Sequence, residues 1–311
     1  MKGALATLVL ATAILAGGSA AGQVWRAPRT VAGQPDLQGV WSYNSLTRLE
    51  RADRYSAVVI GEEEARAVTP PPLIPPDETG QAESETYDAE GLELARVNGE
   101  IRTAWIVEPP DGRLPLTAEA RARAQAPPTF DGPETRRNQE RCLMMPNVGP
   151  PIATAIYNNN LQILQTRDHV VILMEMNHEA RIVPLGRPPH GPLHRWMGDS
   201  VGWWEGDTLV VETTRLTPAQ GLRASPAGAL YLSPDAVITE RFRRISPAQI
   251  LYGYTVVDAA NYTRPWRGEM PLTATRERMF EYACHEGNYS LPNILAGARA
   301  QERAIAAQPR P

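Results

Sequence analysis

The stretch Met174-Glu175-Met176-Asn177-His178-Glu179-Ala180-Arg181 sets an imidazole among carboxylates and a guanidinium. Histidine titrates near neutrality, and a neighbouring carboxylate orients its ring, so this grouping suits general acid–base chemistry. A second imidazole, His285, follows Met279-Phe280-Glu281-Tyr282-Ala283-Cys284. In extended chain Glu281 and His285 would share one face, and Phe280, Tyr282 and Cys284 the other. On this reading His178 is the acid or base, Glu175 or Glu281 orients it, Arg181 stabilises an anion and His285 completes the set. Arg264-Pro265-Trp266-Arg267 places a guanidinium beside an indole, a setting for an anionic or aromatic ligand. The bland reading of His178, a strand-end histidine satisfying backbone groups, stands beside the catalytic one.

Strand parity bears on the same segment. A strand continuing from Val170 would put Val170, Ile172, Met174, Met176 and Ile182 on one face together with His178. Glu175, Asn177, Glu179 and Arg181 would then share the other face, and a turn at Asn177–Glu179 would break the pattern.

Two further patterns are weaker. Gly198-Asp199-Ser200-Val201-Gly202 has the spacing of a nucleophile elbow, which needs a strand before the serine and a helix after it. Here a proline-rich loop precedes and a strand follows, so an Asp-Ser turn opening a hairpin is expected. His190 and His194 are four apart, as zinc-binding pairs on helices are, yet Pro188, Pro189 and Pro192 forbid a helix there. The sequence therefore predicts neither a metal site nor a cofactor motif. Lys2 is the only lysine, which leaves the chain after it without Schiff-base chemistry. A metal-free lyase or isomerase step fits what remains.

The elements that must position these groups are largely strands. Met1-Lys2, an apolar run from Ala4 to Ala16 and small residues to Ala21 read as a signal peptide over 1–21, which predicts a periplasmic or secreted protein. No later segment is apolar enough to span a bilayer. The formal net charge is −4 and the arginines are interspersed with acids, which argues against nucleic acid as a partner. The remainder, 22–311, reads as one β-rich domain. Residues 62–151 carry many of the 29 prolines and predict a loop-rich wrap with short helices, among them one over Thr117–Ala126. Within that wrap Ile101–Val107 reads as a strand. Hairpins then follow one another through 156–286, ending on a strand over Arg278–Cys284, and a helix is expected over 293–307. Consecutive hairpins without helical crossovers predict a mainly β, antiparallel meander. Such a meander either closes into an up-and-down barrel or stacks into a sandwich, and Gly39-Val40-Trp41 on the first strand favours a lipocalin-like barrel. In an oxidising compartment Cys142 and Cys284 predict one disulfide; two buried thiols are the alternative.

Several motifs carry a resemblance. Pro35-Asp36-Leu37-Gln38-Gly39-Val40-Trp41, Tyr157-Asn158-Asn159-Asn160, and His169-Val170-Val171-Ile172-Leu173 with His178-Glu179-Ala180-Arg181 are three of them. Gly198-Asp199-Ser200 leading into Trp204-Glu205-Gly206-Asp207-Thr208-Leu209-Val210-Val211, and Cys284-His285-Glu286-Gly287-Asn288-Tyr289, are two more. Together they resemble a family of exported bacterial proteins, which implies an extracytoplasmic setting and no particular activity. Three functions follow from the residues: an enzyme acting on a small organic molecule, a carrier of a hydrophobic ligand, or a structural partner-binding protein.

Overall fold

The structure is a computed structural model that describes residues 25–68, 92–126, 129–155, 157–225 and 228–308. The expected leader over 1–21 lies outside the described residues. In chain order the strands are β1 (Gly39–Ser42), β2 (Val59–Ile60), β3 (Arg96–Val97), β4 (Glu100–Arg102), β5 (Ile106–Glu108), β6 (Asn160–Gln165), β7 (His169–Met174) and β8 (Ala180–Pro184). They continue with β9 (Asp199–Glu205), β10 (Thr208–Thr214), β11 (Leu222–Ser225), β12 (Gly228–Tyr231), β13 (Val237–Ser246), β14 (Gln249–Val257) and β15 (Trp266–Ala274). Helices are α1 (Glu62–Ala67), α2 (Ala118–Gln125) and α3 (Ser290–Ala306). The Thr117 hydroxyl caps α2 by accepting from Ala120 N, as its sequence position predicts.

Alternation decides which strands join the main sheet. In β14 Ile250, Tyr252, Tyr254 and Val256 are buried while the residues between them are not, which is the period of a half-buried strand. The sheet runs β8-β7-β6-β1-β15-β14-β13-β10-β9, an up-and-down path in chain order that curls into a nearly closed antiparallel barrel. β5 adds to β15 outside this path, and β3 and β4 of the proline-rich wrap form a small separate sheet with β2, which precedes it. The strand expected over Ile101–Val107 is thus divided between two sheets.

The ring has nine strands, and each junction along the path is antiparallel. An odd ring of alternating directions must contain one parallel junction. That junction is the seam between β8 and β9, closed by the single parallel bridge Leu185↔Gly202 and by Arg187 N donating to Gly202 O at 3.1 Å. Because β8 and β9 run the same way, residues 185–198 must travel back along the barrel, which the proline-rich sequence there does as an irregular tether.

The lumen is packed. Trp41, Phe242, Tyr252, Trp266 and Met270 are at most 1 % exposed, and aromatic rings form a chain through it: Phe242 to Tyr252 at 4.8 Å, Tyr252 to Tyr254 at 5.4 Å, Tyr254 to Trp266 at 5.6 Å. Each such side chain contributes roughly 1.5–3 kcal/mol on burial. Gly268 is required by this packing, since a Cβ there would overlap the Tyr254 ring, itself held between Tyr252 and Trp266. Gly268→Ala should cost about 1–3 kcal/mol in urea unfolding. Wild-type stability would mean that the ring yields.

Proline carbonyls hold one buried arginine. Arg223 of β11 is buried and donates to the carbonyl oxygens of Pro146, Pro150 and Pro151, each at 3.0 Å. Burial pulls its pKa down to about 10, so the carbonyls only partly replace its lost hydration.

Candidate functional site

Between β7 and β8 the chain reverses through a one-turn 3-10 helix, Met176–His178, in which Asn177 and His178 have φ of 61° and 40°. Asparagine adopts this left-handed conformation readily; a histidine there is uncommon. The turn resets the side-chain parity. Met174 and Met176 are buried as expected, but Ile182 points outward at 62 % exposure and Arg181 points in. His178 is left exposed at the barrel rim.

A second segment comes to meet it. After β15, residues 275–289 cross the same rim as an irregular strap. The strand expected over Arg278–Cys284 does not form, because both ladder edges of β15 and of β1 are already taken along this part of the ring. Two fixtures hold the strap instead. Glu175, 3 % exposed, accepts a hydrogen bond from Phe280 N at 3.0 Å. The Cys142–Cys284 disulfide, with Cα atoms 5.6 Å apart, ties it to the segment that buries Met144, Met145, Val148 and Ile152 in the core.

As a result His178 and Glu179 from the turn and Glu281, His285 and Glu286 from the strap line one cleft of about 540 Å³, with Trp196 of the tether in its wall. Neither imidazole hydrogen-bonds to another described side chain. Glu179 is half-buried, and that burial raises its carboxyl pKa against the hydrogen bond from Asn177 and the nearby His178. A cavity of about 450 Å³ adjoins the cleft through Ala283, Cys284 and Glu286. Met145, Met176, Tyr157 and Tyr282 line it, the two tyrosine rings 6.1 Å apart. Burial, then the hydrogen bond with Tyr282, pushes the Tyr157 phenol up to about 12, so it stays protonated at neutral pH.

Of the residues singled out in the sequence, His178, His285 and Glu281 therefore share a cleft, and the other four lie elsewhere. Glu175 does not orient an imidazole; its carboxylate anchors the strap. Arg181 does not face the rim. It crosses the lumen to make a bidentate pair with Glu240 of β13, whose second partner is the Tyr252 hydroxyl at 2.7 Å. Burial opposes the Arg181 charge, but the Glu240 carboxylate and its hydrogen bonds outweigh this and hold the pKa above its usual value. Trp266 is fully buried against Tyr254 and Tyr262 and offers no surface to a ligand. Arg264 stays exposed, in a separate polar cleft with Arg113, Arg121 and Asp53.

The two weaker patterns also resolve. Ser200 lies within β9 and its hydroxyl bonds to Thr213 at 2.7 Å, so no elbow forms. His190 sits between Asp199 Oδ2 at 3.0 Å and Glu212 Oε1 at 3.4 Å, whereas His194 Nδ1 lies 2.8 Å from Leu216 O. The two rings are committed to different partners. Among the described residues no three of the His, Cys, Asp and Glu side chains are grouped as a metal site requires. Glu179, Glu286 and Trp196 are the lining residues that sequence reasoning missed. The first two adjoin the chosen histidines in sequence, and Trp196 carried no signal.

Protein-family models, curated proteins and solved structures give no match to this chain. Among the described residues no helix is long and apolar enough to cross a membrane.

Proposed function

We propose that this is an exported protein that binds a small organic molecule at the rim of its barrel and transforms it by metal-free acid–base chemistry of the lyase or isomerase type. His178 and His285 are the proton-transferring groups. One observation supports this above others: two imidazoles far apart in sequence, each without a side-chain hydrogen bond among the described residues, line the same cleft beside carboxylates. A cleft of this size suits a small organic ligand. Export rests on the leader pattern in the sequence and fits a disulfide, which persists in oxidising compartments. The motif resemblance to exported bacterial proteins points the same way.

The experiment begins with mass spectrometry of small molecules released from the purified, denatured mature protein. The molecule found is then offered to wild type, His178→Ala and His285→Ala. Each variant should lose about 10²–10⁴-fold in turnover, with binding changed only a few-fold. Full turnover in the double variant would remove the catalytic reading. Binding without turnover in wild type would favour the carrier, for which the adjoining Tyr/Met cavity is the natural compartment.

A further inference from the structure

We propose that the rim cleft selects a cationic organic molecule, a primary or quaternary amine carrying an apolar body. This rests on the cleft being a ligand site, and concerns which class of ligand it takes. The sequence alone suggests the opposite charge preference, because Arg181 looks like an anion-binding group beside His178. Folding removes it: the guanidinium is spent on Glu240 inside the lumen.

What remains around the cleft is one-sided. Glu179, Glu281 and Glu286 line it, and no arginine does. Among the described residues none of the three carboxylates forms an ion pair with an arginine. The other two large clefts differ, since Arg181 and Arg195 line the one at the seam and Arg113, Arg121 and Arg264 line the polar one. Glu179 is also half-buried, and its lost hydration is offset only by the Asn177 amide and the nearby His178, with no arginine among the described residues as a permanent cationic partner. A bound ammonium would supply that partner. Trp196 adds an indole to the wall, a surface that attracts organic cations through its ring quadrupole.

A bare metal ion does not fit this pattern, because the donors are spread round a cleft of about 540 Å³ instead of converging. A larger cation does. Its apolar body would lie toward Tyr157, Tyr282 and the two methionines next door.

The test uses the full mature protein and three probes of similar shape: 2-phenylethylamine, 2-phenylethanol and phenylacetate. Binding is followed by the imidazole NMR signals of His178 and His285, assigned with single His→Gln variants. The amine should shift both signals and bind about tenfold more tightly than the alcohol, with phenylacetate weakest. Glu179→Gln/Glu281→Gln/Glu286→Gln should abolish that preference while leaving alcohol binding in place. Raised salt should weaken amine binding to wild type and leave the alcohol unaffected, a control independent of the triple variant's folding. Equal or tighter binding of the alcohol or phenylacetate would overturn the cation preference and leave the ligand cleft standing. No imidazole response to any probe would overturn both.

Discussion

Arg181→Met should lower the free energy of unfolding by about 3–5 kcal/mol, because it leaves the Glu240 carboxylate at 0 % exposure without its counter-charge. Glu240 would keep only the Tyr252 hydroxyl, which itself accepts from Ile152 N at 2.9 Å. The loss would therefore spread from β8 through β13 and β14 to the segment around Ile152. Urea unfolding of Arg181→Met and of Arg181→Met/Glu240→Leu separates the possible causes. The double variant should regain most of the stability, since replacing both members of a buried pair by apolar groups is often neutral. If the single variant costs under about 1 kcal/mol, water reaches Glu240 and the pair is not the internal brace described here.

The second large effect concerns the disulfide. Cys142→Ser/Cys284→Ser opens a loop of 142 residues, a change worth roughly 5 kcal/mol in the chain-entropy picture. The local consequence is more specific. The strap over 275–289 belongs to no ladder, so without the bond it keeps only scattered contacts: Thr275 N to Val40 O, Phe280 N to Glu175, Tyr282 against Tyr157, and Asn288 to Glu140 O. Amide exchange in the strap should rise sharply in the variant, while β13 and β14 exchange only as far as global stability falls. His285 should cease to respond to ligands that still reach His178. A strap that stays protected in the variant would show that packing alone holds it.

Much of the barrel was legible because its strands obey period two and are separated by tight turns. The hairpins β6–β7, β9–β10 and β13–β14 follow from short apolar runs, alternating in β14 and continuous in β7 and β10, that flank Arg167-Asp168, Glu205-Gly206-Asp207 and Ser246-Pro247-Ala248. Both His178 and His285 stand out at expected strand ends, but the closing strand expected to carry His285 is an irregular strap. The fate of Arg181 was not legible. Its direction depends on whether Asn177 and His178 adopt left-handed backbone, and its partner lies on a strand across the lumen that no local pattern can identify. The strap misled for a related reason: Arg278–Cys284 alternates like a strand, but pairing needs a free edge, and edge occupancy is a property of the whole ring. Trp266 failed as a ligand residue because neighbours in sequence do not share surroundings. Arg264 ends a loop, whereas Trp266 begins an inward-facing strand.

The four-residue strand β1 pairs with β6 on one flank and with β15 on the other, so the start of the domain is clasped by nearly its last strand. That gives assembly an order in time. Contacts between such distant parts of the chain form slowly, because the intervening polypeptide must first be gathered in. Without Trp266–Ala274 the ring is incomplete, and Trp41 waits beside an empty flank until that strand arrives.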